Sequence, residues 1–308
     1  MLDQKPLNRI LFLDIETTSQ KENFSELTER QQEIFFKRFK KDFEPRINTK
    51  YLEFLNNKSL KKEVLATEEV TEGGKKKKST KKVSIQDLTP EEIMKGIKLE
   101  VGNELYNIKA PIFPEFGRIL CISAGVIWKN EAEDFYNIKI ITFSNEDEKI
   151  LLSDFINHEK LGAILDKKAK ESWAFCAHNG KIFDFPFIAK RLIINGFKLP
   201  YALDYAHMKP WEQTHIIDTK ETWSFGIWDA SVSLDSLSDI FGTASSKDDI
   251  DGSQVKDIFW KEKDLPRIAI YCEKDVVALA TNYLRMKSMS EEVRVFKQPT
   301  QNSPEAEV

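Results

Sequence analysis

The chain has 308 residues, 41% of them apolar and 31% charged, with 46 basic and 50 acidic side chains and a net charge of −4. That length predicts two domains or one domain with a large insertion, and the composition is that of a globular protein, not a disordered or fibrous one. No apolar run approaches the roughly 20 residues of a spanning helix, no signal-peptide pattern opens the chain, and the charge balance argues against nonspecific coating of nucleic acid. The expectation is a cytoplasmic protein without a membrane partner.

Residues 9–16, RILFLDIE, are a continuous apolar run ending in two carboxylates, which predicts a central strand buried on both faces. Residues 24–43 read as one charged amphipathic helix, and TEGGKKKKSTKK at 71–82 reads as a solvated, disordered linker. Thr89 and Pro90 mark a helix start. GRILCISAGVIW and EDFYNIKIITF, between 117 and 143, form a hairpin around a polar turn at 129–132. Ser144 and Asp147 suggest a capping box ahead of a helix to about His158. SWAFCA at 172–177 is a short strand, followed by a His178-Asn179-Gly180 turn. Helices follow from about Phe185 to Ile194 and from Leu234 to Ile240, stopped by Gly196 and Gly242. The final helix spans 265–286, with apolar residues at steps of three and four. Residues beyond about 296 read as a tail. Cys121, Cys176 and Cys272 lie far apart in apolar segments and read as reduced core thiols with no zinc spacing.

Three acidic features carry chemical interest. Asp14 and Glu16 are two apart on a strand and therefore share a face, where two carboxylates call for a cation, a proton or water. A strand end reaching solvent is the bland reading, and a second Asp-x-Glu occurs at Asp42 and Glu44. Asp184 follows the 172–177 strand, where it serves either as a helix cap or as part of a site at a strand end. Tyr271 and Asp275, four apart on the last helix, share one face, either as a surface pair or as site residues.

The order of these features, Asp-x-Glu on an apolar strand, a carboxylate at a later strand-helix junction and Tyr-x-x-x-Asp on a late helix, resembles the DEDD superfamily of 3′-5′ exonucleases, in the branch whose third motif carries a Tyr. PEFGRILCISAG, HNGKIFDFPFIAKR, SSKDDIDGSQV and WKEKDLPRIAIYCEKDV are similar to the stand-alone bacterial exonucleases related to the proofreading domain of family-B DNA polymerases. The likeness covers about 7–17 and 104–285. It implies an α/β, ribonuclease H-like mixed sheet flanked by helices. The expected domain comprises 1–18 and 105–295, with 19–104 as a helical, partly disordered insertion and 296–308 as a flexible tail.

The resemblance further implies that Asp14, Glu16, Asp184 and Asp275 hold two divalent cations, Mg²⁺ or Mn²⁺, roughly 3.5–4 Å apart, with Tyr271 orienting the attacking water. The implied reaction removes nucleoside 5′-monophosphates from the 3′ end of single-stranded nucleic acid, DNA ahead of RNA. A separately encoded polymerase or repair factor is the implied partner. Thr17, Asn179, Phe183, Phe185, Lys247 and Ser253 are candidate nucleic-acid contacts; ordinary turn, core and loop roles compete for them. The rival functions are an exoribonuclease with the same site and a non-catalytic nucleic-acid-binding or partner-recruiting module.

Overall fold

The apolar run at the start of the chain folds as β1, Ile10–Ser19, with Ile10, Leu11, Phe12 and Leu13 all buried, as a strand covered on both faces requires. The computed structural model describes residues 5–56, 64–72, 75–83, 89–130, 132, 135–166, 173–227, 232–245, 247, 249–289 and 293–297. The chain divides into two units, Met1–Gln20 with Pro111–Val308, and Lys21–Ala110.

In the second unit, α1 (Glu29–Arg38), α2 (Lys40–Asn56) and α3 (Pro90–Lys109) surround an aromatic cluster of Phe24, Phe35, Phe43 and Tyr106. The helix expected over 24–43 is divided. Thr28 opens α1 through a reciprocal capping box with Gln31, and the backbone leaves helical geometry at Phe39. Thr89 caps α3 with Pro90 in its first turn. A Cβ at position 102 would come within 2.4 Å of the Phe24 ring, so glycine there admits the ring against α3. The second Asp-x-Glu is accounted for by ion pairs, Asp42 with Lys109 and Glu44 with Lys40.

Two further strands, β2 (Val64–Glu72) and β3 (Lys75–Val83), pair antiparallel. Residues 73 and 74, within the stretch read as a linker, lie outside the described residues. The register sets Glu72 opposite Lys75 and Glu69 opposite Lys78.

The first unit continues with the predicted hairpin, β4 (Gly117–Lys129) and β5 (Tyr136–Ser144), then α4 (Glu148–Asn157) and α5 (Glu159–Leu165). Asp147, not Ser144, caps α4, accepting from the Lys149 amide. Next come β6 (Ala174–Ala177), α6 (Asp184–Ile194), β7 (Ile216–Asp218), α7 (Thr219–Ser224) and α8 (Leu234–Phe241). A short α9 (Val255–Asp257) leads to α10 (Leu265–Met286), and β8 (Val293–Lys297) extends the sheet where the tail was expected to begin. The strand order is β7-β6-β1-β4-β5-β8. β1 runs antiparallel to β4 and parallel to β6, while β7 and β8 run parallel to β6 and β5.

One face of this mixed sheet packs Leu11, Leu13 and Ile15 with residues of α4, α5 and α6; the other packs Ile10 and Phe12 under α10. A bulge sits where Glu16 pairs with Cys121 but Thr17 pairs with Ile119, leaving Leu120 as the extra residue. Leu120 and Cys121 consequently both pack toward α10, whereas Ile119 and Ile122 both pack on the opposite face. Beneath α6, Arg191 Nε donates to Glu148 Oε1 at 2.9 Å and Nη1 to the Pro114 carbonyl at 2.9 Å, so this buried ion pair is fully engaged. Among the described residues no helix is long and apolar enough to cross a membrane.

Candidate active site

Strand alternation aims Asp14 and Glu16 at the α10 face, and the 3.6-residue helical repeat aims Tyr271 and Asp275 back at them. One carboxylate oxygen each of Asp14, Glu16 and Asp275 lies within 4.8 Å of the others. Glu16 is 9% exposed, Asp275 8% and Asp184 2%, and none of Asp14, Glu16 and Asp184 is in an ion pair with lysine, arginine or histidine among the described residues.

Asp184 enters from the far side of β1. It is the first residue of α6, yet α6 has no side-chain cap, so the carboxyl is not a helix cap. Hydrogen bonding with the Ile15 backbone ties it to β1, between the two strand carboxylates in sequence. The site therefore draws one acid from each sheet face and two from the strand between.

Burial and mutual repulsion between the carboxyls dominate the electrostatics. Burial raises Asp14 well above the usual carboxylate range, and the Cys272 thiol and the charges of Asp275, Asp184 and Glu16 add to it. Burial, then Asp275 and Asp184, raises Glu16 likewise. Asp184 is pushed up to about 7 by burial and by Asp218 and Asp275, against the pull of backbone hydrogen bonds. Burial and the neighbouring Asp275 carboxylate raise the Tyr271 phenol, which donates to Asp275. It stays a neutral donor at every physiological pH. Hard divalent cations bind oxygen donors, and three carboxylate oxygens within 4.8 Å of one another fit such an ion.

The softer candidates separate. Thr17 Oγ1 donates to the Pro111 carbonyl at 2.8 Å, beside the bulge. Asn179 adopts a left-handed conformation, φ 68°, in the turn ahead of Asp184. Phe183 is half-buried with its ring 5.4 Å from that of Phe187. Phe185 is 0% exposed, packed edge-on against Phe175, so it presents no face to a base; the helical register that brings Asp184 inward carries its neighbour into the core. Lys247 pairs with Asp235, and Ser253 donates to Asp251, both within exposed loop positions. Neither is brought into the carboxylate cluster.

Asp218, at the end of β7, escapes the sequence reading. Its Oδ1 accepts from the amides of Asn179, Lys220 and Glu221 and its Oδ2 from that of Lys181, at 3.0 to 3.2 Å. It caps α7 and clamps the turn that leads to Asp184. Asp-x-x-Glu at 218–221 is a helix-start pattern and marks it in retrospect. His178 in the same turn is desolvated, which lowers its pKa; Nε2 meets the Val232 carbonyl at 2.9 Å and Nδ1 the Thr219 hydroxyl at 3.0 Å.

A mixed sheet in this order, with helices on both faces and acids gathered on the central strand, defines a ribonuclease H-like α/β fold. The family model described as "Predicted 3'-5' exonuclease related to the exonuclease domain of PolB" matches residues 114–302, more than half of the chain. The chain belongs to this family of 3′-5′ exonucleases. The matched stretch contains Asp184, Tyr271 and Asp275 and begins after β1, so the fold is what adds Asp14 and Glu16 to them. No curated protein matches the chain.

Proposed function

We propose that the protein hydrolyses nucleotides from the 3′ end of single-stranded DNA, using two divalent cations held by Asp14, Glu16, Asp184 and Asp275 and releasing nucleoside 5′-monophosphates. The observation that carries this reading is the convergence of the Asp14, Glu16 and Asp275 carboxylates within 4.8 Å of one another at the centre of the sheet. Divalent ions, when bound, supply the charge that acidifies the attacking water and offsets the negative charge of the leaving 3′ oxygen.

The chain's own groups do the rest. Asp14, whose carboxylate lies within 4.8 Å of those of Glu16 and Asp275, would hold metal together with them. Tyr271 hydrogen-bonds Asp275 and, as a permanently protonated phenol, orients water near it. Asp218 fixes the turn from which Asp184 projects. In the reaction, water oxygen bonds to phosphorus as the bond from phosphorus to the 3′ oxygen breaks, and that oxygen leaves as a hydroxyl. The proposed setting is the cytoplasm, with a separately encoded polymerase or repair factor as partner.

The test incubates the purified protein with 5′-labelled DNA and RNA oligonucleotides in Mg²⁺, Mn²⁺ or EDTA, beside the Asp14→Ala/Asp184→Ala variant. A DNA ladder shortening from the 3′ end, absent in EDTA and in the variant, is expected. Preference for the RNA substrate would reassign the enzyme to exoribonucleases. Binding without cleavage under every metal condition would leave a recruiting module.

A further inference from the structure

On the sheet face turned away from α10, the upper parts of β1, β4 and β5 are only partly covered. A cavity of about 500 Å³ opens there, floored by Leu11, Val126 and Ile141 and walled by Leu161, Ile164 and Trp173. Three cations, Arg9, Lys139 and Lys160, line it together with His158, and among the described residues no acidic side chain does. The volume lies in the range of ligand-binding pockets.

Arg9 lies with its guanidinium over the Trp173 ring, 5.3 Å from the centroid, and neither it nor Lys139 or Lys160 is in an ion pair among the described residues. Lys139 is paired with Val126 across the ladder, which puts it on the apolar face, where it is half-buried. A lysine there lays its stem along apolar surface with the ammonium at the rim, where an incoming carboxylate can pair with it. The chain as a whole is acidic, with net charge −4, so this local excess is not a general property of its surface.

The geometry points to a docking groove for an acidic peptide segment of a partner protein, with apolar side chains seated on Val126 and Ile141 and carboxylates meeting Arg9, Lys139 and Lys160. Nucleic acid fits less well. Bases bind by stacking on aromatic faces, and the one tryptophan here already has a guanidinium over it. The groove lies on the opposite sheet face from Asp14 and Glu16.

Fluorescence anisotropy tests this with the full chain and a short fluorescein-labelled peptide of aspartates flanking two leucines and a phenylalanine. A second peptide carries serine at the apolar positions, and sodium decanoate serves as a small anionic competitor. Saturable binding of the first peptide is expected, weakened at least about tenfold by Lys139→Glu and by Lys160→Glu, lost in the serine peptide and unchanged in the Asp14→Ala/Asp184→Ala variant. Circular dichroism verifies that the charge-reversal variants fold; Lys160, being exposed, is the safer of the two. Equal binding of the serine peptide, insensitivity to both charge reversals, or binding of decanoate without peptide would overturn the proposal.

Discussion

The Cys272 thiol lies 3.5 Å from Asp14 Oδ2 and 3.4 Å from the Asp14 carbonyl oxygen. Burial raises the pKa of this thiol, so it remains a protonated donor, and it fixes the distance between β1 and the helix bearing Tyr271 and Asp275. Cys272→Ser keeps a small donor there and retains metal-dependent activity. Cys272→Leu overpacks a position with 0% exposure and costs about 1–3 kcal/mol, read as a lower midpoint in urea denaturation.

Stability without metal should fall as pH rises. Unfolded carboxyls titrate near pH 4, whereas folded Asp184 holds its proton to about 7 and Asp14 and Glu16 are also raised. Between those limits the folded chain binds more protons than the unfolded one, so the stabilisation present below about pH 4 is lost on the way to pH 7 and above. Calorimetry in EDTA at pH 5 and pH 8 should give the lower melting temperature at pH 8, and Mn²⁺ should remove much of the difference. A melting temperature that climbs with pH in EDTA contradicts the picture of buried, mutually repelling acids.

Tyr271 and Asp275 should separate in their effects on turnover. Tyr271→Phe removes one hydrogen bond to a charged group, worth about 1.5–3 kcal/mol, and should slow hydrolysis roughly tenfold to a hundredfold while Mn²⁺ still binds. Asp275→Asn removes a member of the cluster itself and should cost at least about a hundredfold, with weaker Mn²⁺ affinity by titration calorimetry. Equal, small losses in both variants would place the chemistry elsewhere.

Asp218→Ala should act at a distance from the metal. Four amides lose their acceptor at once, and the turn before Asp184 loosens. Expected outcomes are a stability loss above about 2 kcal/mol and a roughly tenfold drop in Mn²⁺ affinity, both partly restored in Asp218→Asn. Unaltered metal affinity would restrict Asp218 to capping α7.

A tight contact under the same turn offers an independent check. A Cβ at position 180 would lie 2.4 Å from the Ala177 Cβ and 2.9 Å from the Phe185 ring. Gly180→Ala must therefore displace the turn or the ring, and a loss of about 1–3 kcal/mol is expected by thermal denaturation.

Much of this was legible in the sequence wherever a local pattern dictated the outcome. The apolar run before Asp14, the Thr89-Pro90 helix start and the stripe along α10 act through neighbours in the chain, and each element lies where its pattern puts it. Asp218 was not legible because its partners Asn179 and Lys181 lie about forty positions away and contribute only backbone amides, which carry no residue identity. Phe185 misled for a related reason. An aromatic beside an acid suggests a stacking surface, but which side of α6 is buried depends on Phe175 in a different strand.

The extra residue in β4 makes the strand unequally tolerant of length change. Removing Leu120 would bring the pairs Thr17–Ile119 and Glu16–Cys121 into consecutive steps, leaving inward and outward positions in phase on either side. Removing Ser123, only three positions later, would shift one flank by a single residue and exchange its core and solvent sides. Codon deletions across this strand should therefore separate sharply, with position 120 the one place where the chain can shorten without losing count.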